Sequence, residues 1–200
     1  MRKVVLFASL CVPFLAQAVE DKEVATCAAM QNTVSRLACY DSMAAKNKLA
    51  PSSETTTTKG AGKWQTSKEV DPLNDKEIHF ALLPADSGKG KYGGRIAMMV
   101  RCQDNKTETY INWNSYLGSE TIRTTYRLDK NPAQTSNWGL STDKKAAFFP
   151  GSPVALLKQM ADSQTFVANV TPYNENPITA TFDTSGADAA FRDIRASCKW

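Results

Sequence analysis

The chain carries few residues able to make or break bonds. Its one histidine, His79, is the only conventional general base, and it sits in the run Ile78-His79-Phe80-Ala81-Leu82. Strand alternation places His79 with Ala81 on one face and Ile78, Phe80 and Leu82 on the other, so a solvent-facing strand residue is expected rather than a catalytic one. No serine lies in a Gly-x-Ser-x-Gly turn, so a Ser-His-Asp triad would hang on His79 alone. The acids Glu69, Asp71, Asp75 and Glu77 are of the type that pairs in glycoside hydrolysis, but they crowd a polar turn region where solvated charge is the default. Zinc is disfavoured as well: no Cys-x-x-Cys occurs, and Cys27 and Cys39 are twelve positions apart. No catalytic residue, cofactor or metal ligand is therefore assigned.

Recognition chemistry is better represented. Arg95, Arg101, Arg123 and Arg127 fall on the outward positions of alternating segments, where guanidinium groups on neighbouring strands would grip carboxylates in bidentate fashion. The bland alternative is a solvated face paired with Glu108 or Asp129. Tyr110 and Trp138 are candidates for the same face, since aromatic and arginine side chains dominate binding hot spots, although Trp138 fits a core position equally well. In the N-terminal region Arg36, Tyr40 and Asp41 are either a docking surface or local packing and capping. With 24 basic and 20 acidic residues and no basic stripe, nucleic acid is not an expected partner.

The elements that must hold these residues are mostly strands. In Arg95 to Cys102 the residues Ile96, Met98, Val100 and Cys102 share one face; similar alternation runs through Thr107 to Trp113 and Ile122 to Leu128. Further strands are expected at 76 to 83, 164 to 171 and 177 to 183. Ser152-Pro153 reads as an N-cap and first helical residue before a helix with Val154, Leu157 and Ala161 on one face. A terminal helix is expected from Ser185, with Asp188 completing a capping-box variant and Ala187, Phe191, Ile194 and Cys198 forming its apolar stripe. The fold class is thus mainly β, an antiparallel sandwich or curved sheet with peripheral helices, α+β overall, preceded by a small N-terminal helical hairpin.

Residues 1–18 read as a cleavable signal peptide: Arg2-Lys3, a short apolar run and Ala16-Gln17-Ala18. The run is too short for a membrane-spanning helix, so no transmembrane anchor is expected after cleavage. Residues 19–49 then form a helical unit, 50–62 a Ser/Thr/Gly/Pro-rich linker, and 63–200 the β-rich domain. Removing the leader takes Cys11 with it and leaves four cysteines, an even number that fits two disulfides in an oxidising compartment. Cys102 and Cys198 both project from apolar faces and are paired on that ground; Cys27 and Cys39 pair by elimination. A straight helix would hold the latter two roughly 18 Å apart, beyond the reach of a disulfide, so the unit must bend, with Gln31-Asn32-Thr33 as the break.

An ordered set of short motifs then carries a resemblance: Cys27, Arg36-Leu37-Ala38-Cys39-Tyr40-Asp41, Trp64, Asp71-Pro72-Leu73-Asn74-Asp75, Arg101-Cys102, Thr107-Glu108-Thr109-Tyr110-Ile111, Tyr126-Arg127-Leu128-Asp129, Trp138, Thr179-Ala180-Thr181-Phe182-Asp183 and the ending Ser197-Cys198-Lys199-Trp200. Their order and spacing resemble the VasI/TagO family of type VI secretion system-associated proteins of Gram-negative bacteria, over nearly the whole mature chain. The resemblance implies a non-catalytic periplasmic accessory or adaptor that binds a protein of the envelope-spanning complex or peptidoglycan. The rival expectation is a periplasmic inhibitor or immunity protein of a cell-wall hydrolase.

Overall fold

The computed structural model describes residues 21–30, 33–47 and 58–200, which fall into two compact units divided between Ser52 and Ser53. The expected signal peptide lies outside the described residues, as do Gln31 and Asn32 of the expected break.

The first unit contains α1 (Asp21–Ala28) and α2 (Thr33–Lys46), which pack on each other. Asp21 and Glu23 occupy the first turn of α1, where negative charge complements the unpaired N–H groups, and Lys46 closes α2 with the opposite sign. Cys27 is buried and bonded to Cys39 with their Cα atoms 5.5 Å apart, and the Lys46 ammonium meets the Glu23 carboxylate across the pair.

The body is one antiparallel sheet built from β1 (Gln65–Val70), β2 (Glu77–Pro84), β3 (Ala97–Gln103), β4 (Lys106–Asn112), β5 (Thr121–Leu128), β6 (Gln134–Leu140), β7 (Ala146–Phe148), β8 (Thr165–Val170) and β9 (Ile178–Asp183). Their order across the sheet is β1-β2-β3-β4-β7-β6-β5-β8-β9. Strict alternation is clearest in β3, β4, β5 and β8, where every second residue is buried. The sheet is open, yet its ends approach: Ser87, beyond β2, bridges Thr181 of β9, and the Trp64 indole before β1 donates to the Thr184 carbonyl after β9. The inner face holds an aromatic core in which Tyr126 meets Trp138, Phe149 and Phe166, and Trp64 meets Phe191 edge-on at 4.9 Å.

Helix α3 (Val154–Ala161) precedes β8, and the chain ends in α4 (Ala187–Ala190) and α5 (Arg192–Cys198). The last of these lies on β2, β3 and β4, with Ile194 and Cys198 buried and Cys198 bonded to Cys102 at a Cα separation of 5.8 Å.

The terminal helix is two helices meeting at Phe191, and its cap is Gly186 at φ 86 rather than Ser185, whose hydroxyl instead donates to Gln164. Helix α3 is capped by Pro153 without a side-chain bond, and it buries Leu156, Leu157 and Met160, because those residues face the core while Val154 and Ala161 sit at its margin. Of the expected linker, residues 50–57 lie outside the described residues, but residues 58–62 dock against the body. Ala61 is buried, and a Cβ on Gly62 would stand 2.3 Å from the Ser185 carbonyl oxygen, so the small residues there serve close approach. His79 points to the face that α5 covers, in register with Cys102, and its side chain is only 15% exposed. The expectation of a solvent-facing histidine fails because the helix, not water, lies over Ala81 and Leu83, both fully buried.

Candidate partner-binding face

The outer face of the sheet carries a preorganised band on β3, β4 and β7. Register places Arg101 opposite Glu108, Met99 opposite Tyr110 and Tyr110 opposite Phe148, so alternation puts all of these side chains on the side away from Cys102. The Arg101 guanidinium gives two hydrogen bonds to Glu108 Oε2, from Nε at 2.9 Å and from its terminal nitrogen at 2.6 Å, while Lys106 Nζ donates to Oε1 at 2.7 Å. Burial pushes the Glu108 carboxyl up, but the hydrogen bonds from Lys106 and Arg101 outweigh it and hold the group below the usual carboxylate range. Beside this cluster the guanidinium lies 5.9 Å from the Tyr110 ring centre, and Tyr110 stacks on Phe148 at 4.5 Å. Burial drives the Tyr110 phenol above its ordinary range, with the Arg101 charge acting against that and Glu108 with it.

This arrangement changes what the band can do. Arg101 already spends its best donors on Glu108, so it is a fixed and largely neutralised platform rather than a free grip for a partner's carboxylate. The accessible chemistry is an aromatic surface, Tyr110 and Phe148, framed by charge. It borders a cleft of about 590 Å³ walled by Lys106, Glu108, Phe148, Pro150 and the C-terminal Trp200, whose indole donates to Thr107 at 2.8 Å.

The structure does not bring the other sequence candidates to this place. Arg127 is exposed on the outer face of β5, but β4, β7 and β6 lie between it and β3, so four strand spacings, roughly 19 Å, separate it from Arg101. Arg95 precedes β3, and Arg123 shares β5, so the four arginines do not stand on neighbouring strands. Asp129 pairs with none of them: its carboxylate accepts the backbone N–H groups of Gln164 and Thr165 and ties the end of β5 to the start of β8. Trp138 is 1% exposed and belongs to the core, in register with Ile122 and packed edge-on against Phe149 at 5.4 Å. In the first unit Arg36 and Tyr40 are half-buried one turn apart on α2, and Asp41 is exposed. Phe148 was not among the sequence candidates, because three residues of Ala-Ala-Phe carry no readable alternation.

A family model described as type VI secretion system VasI, EvfG matches residues 26–200. The chain belongs to the VasI family. That family is associated with type VI secretion, in keeping with two disulfides and with the absence, among the described residues, of any helix long and apolar enough to cross a membrane. No curated protein sequence matches the chain. Among solved structures, the crystal structure of invasion associated protein B from Bartonella henselae superimposes with a TM-score of 0.50 at 11% identity, covering 72% of this chain and 100% of that one. At that identity the likeness is one of fold alone.

Proposed function

We propose that this VasI-family chain is a non-catalytic periplasmic accessory of type VI secretion, an adaptor that binds a component of the envelope-spanning complex or the peptidoglycan it traverses. The family match across residues 26–200 carries the reading, since it spans both disulfides and the entire β body. The leader-like residues 1–18 and the even set of four cysteines beyond them support export to an oxidising compartment. In this reading Arg101, Glu108, Tyr110 and Phe148 act together as a rigid contact band, and Arg127 is a separate exposed charge.

Crosslinking of the tagged mature protein in the periplasm of secretion-active cells, followed by mass spectrometry, tests it. Recovery of membrane-complex proteins supports the adaptor. Recovery of a single cell-wall hydrolase, with tight inhibition of that enzyme, replaces it with an inhibitor or immunity role.

A further inference from the structure

At one end of the body three loops are laced into a single surface that the proposed contact band does not use. The β2–β3 loop joins the β4–β5 loop through the Lys91 backbone N–H, which donates to Ser115 Oγ at 2.8 Å, and through the Asn114 side-chain amide, which donates to the Arg95 carbonyl. The β8–β9 loop is tied in by the Tyr173 N–H, which donates to the Tyr116 carbonyl at 3.0 Å, and by Glu175, which lies 3.7 Å from Lys91 Nζ. A Cβ on Gly90 would stand 2.1 Å from the Trp113 carbonyl oxygen, so these loops are packed together rather than adjacent by chance.

From this base three tyrosines project into solvent. Tyr92 is 96% exposed, Tyr173 61% and Tyr116 47%, and the last two meet edge-on at 5.9 Å. Tyr92 also holds a left-handed backbone, φ 56, within a tight turn closed by the Gly90 N–H on the Gly94 carbonyl. That region is unusual for a bulky residue, and nothing in the core requires the ring, which stands in solvent. Around the rings stand exposed Lys89 and Arg95, which find no acidic partner among the described residues, and Lys91. The Glu175 carboxylate is turned inward, leaving its side chain 19% exposed.

The patch therefore combines phenol rings with outward positive charge, and the exposed large apolar side chains it holds are all tyrosines. The patch exposes no large aliphatic side chain beside its rings among the described residues. Rings that present a flat face and a hydroxyl suit the C–H faces of pyranose sugars, and the cations suit carboxylates. We propose that this loop surface binds a carboxylate-bearing glycan, the peptidoglycan strand. The inference rests on the periplasmic location in the reading above and deepens its partner choice.

The test is cosedimentation of the purified mature protein with peptidoglycan sacculi. Tyr92→Gly removes the ring while suiting the left-handed turn, so its melting temperature should equal or exceed that of the parent. Combined with Tyr173→Ala it should weaken sedimentation by about tenfold, the size of a well-formed aromatic contact. Tyr92→Trp should retain binding. Failure of the parent protein to sediment, or sedimentation unchanged in Tyr92→Gly/Tyr173→Ala, overturns the proposal, as does a photocrosslinker at position 92 that captures protein and no glycan. If secretion still depends on the chain while sacculi do not retain it, the glycan surface alone falls and the adaptor reading stands.

Discussion

Replacing both Cys102 and Cys198 by alanine measures what the long staple does for the β body. The two cysteines are 96 residues apart, and chain-entropy reasoning assigns closure of such a loop about 4 to 5 kcal/mol of destabilisation of the unfolded state. The native state should survive the change, because α5 stays anchored by Ile194 and the preceding Phe191, each 1% exposed or less. A body of roughly 140 residues has an unfolding entropy of about 0.3 kcal/mol per kelvin, so the melting temperature should fall by about 15 °C. Differential scanning calorimetry of the double variant beside the parent reads this directly, with near-ultraviolet circular dichroism confirming that the native packing persists. Removal of the Cys27–Cys39 pair is the control: it closes only a 12-residue separation in the other compact unit and should leave the body's transition in place. A fall of under about 5 °C with native spectra intact would refute the loop-entropy argument.

Three other outcomes follow from local geometry. Thr124 is fully buried and its hydroxyl has no hydrogen-bond partner among the described residues, so Thr124→Val should raise stability by about 1 kcal/mol in urea denaturation, whereas a loss would reveal a hidden partner. Gly62→Ala should cost about 2 kcal/mol or more, since its Cβ would meet the Ser185 carbonyl oxygen at 2.3 Å and its φ is 59, while Gly139→Ala on β6, with nothing within 4 Å, should be neutral or mildly stabilising by the same assay. Glu108 has a folded pKa below its unfolded value of about 4.3, so its contribution is present above that pH and is lost as pH falls through the folded value. Glu108→Gln should accordingly flatten the acid limb of the stability–pH curve; an unchanged limb would show that the Arg101 and Lys106 bonds do not stabilise the fold.

What the sequence made legible was the facing of strands; what it concealed was their neighbours. Alternation in β3, β4 and β5 marks which residues turn inward, Cys102 among them, and the helical stripe Ala187, Phe191, Ile194 and Cys198 marks Cys198 as facing the same core. Strand order depends on where β6 and β7 insert, and neither advertises itself: Gln134–Leu140 is polar apart from Trp138 and Leu140, and Ala146–Phe148 is too short for a period. Without those strands Arg101 and Arg127 looked adjacent. Strand β1, Gln65–Val70, was equally silent, since an edge strand paired only with β2 needs one buried side chain, Thr66, to keep its register. His79 was misplaced for a different reason. The larger apolar residues Ile78, Phe80 and Leu82 suggested the inner face, but a helix packs closest over small side chains, and Ala81 marks the face that α5 covers.

The same topology explains why the two surfaces argued above differ in character. The contact band lies across β3, β4 and β7, where ladder hydrogen bonds fix the backbone and the side to which each residue points, and where Cys102, next to Arg101 but pointing inward, is tied to α5. Its ion cluster is therefore satisfied within the molecule and offers shape more than charge. The tyrosine end belongs to loops, which have no ladder to order them, and here order comes from cross-loop bonds to Ser115, Arg95 and Tyr116 together with glycines that allow backbones to touch. Loops held that way can display a ring in a left-handed turn that no strand would tolerate. Three exposed rings held on a rigid base thus carry the glycan proposal at this end of the molecule.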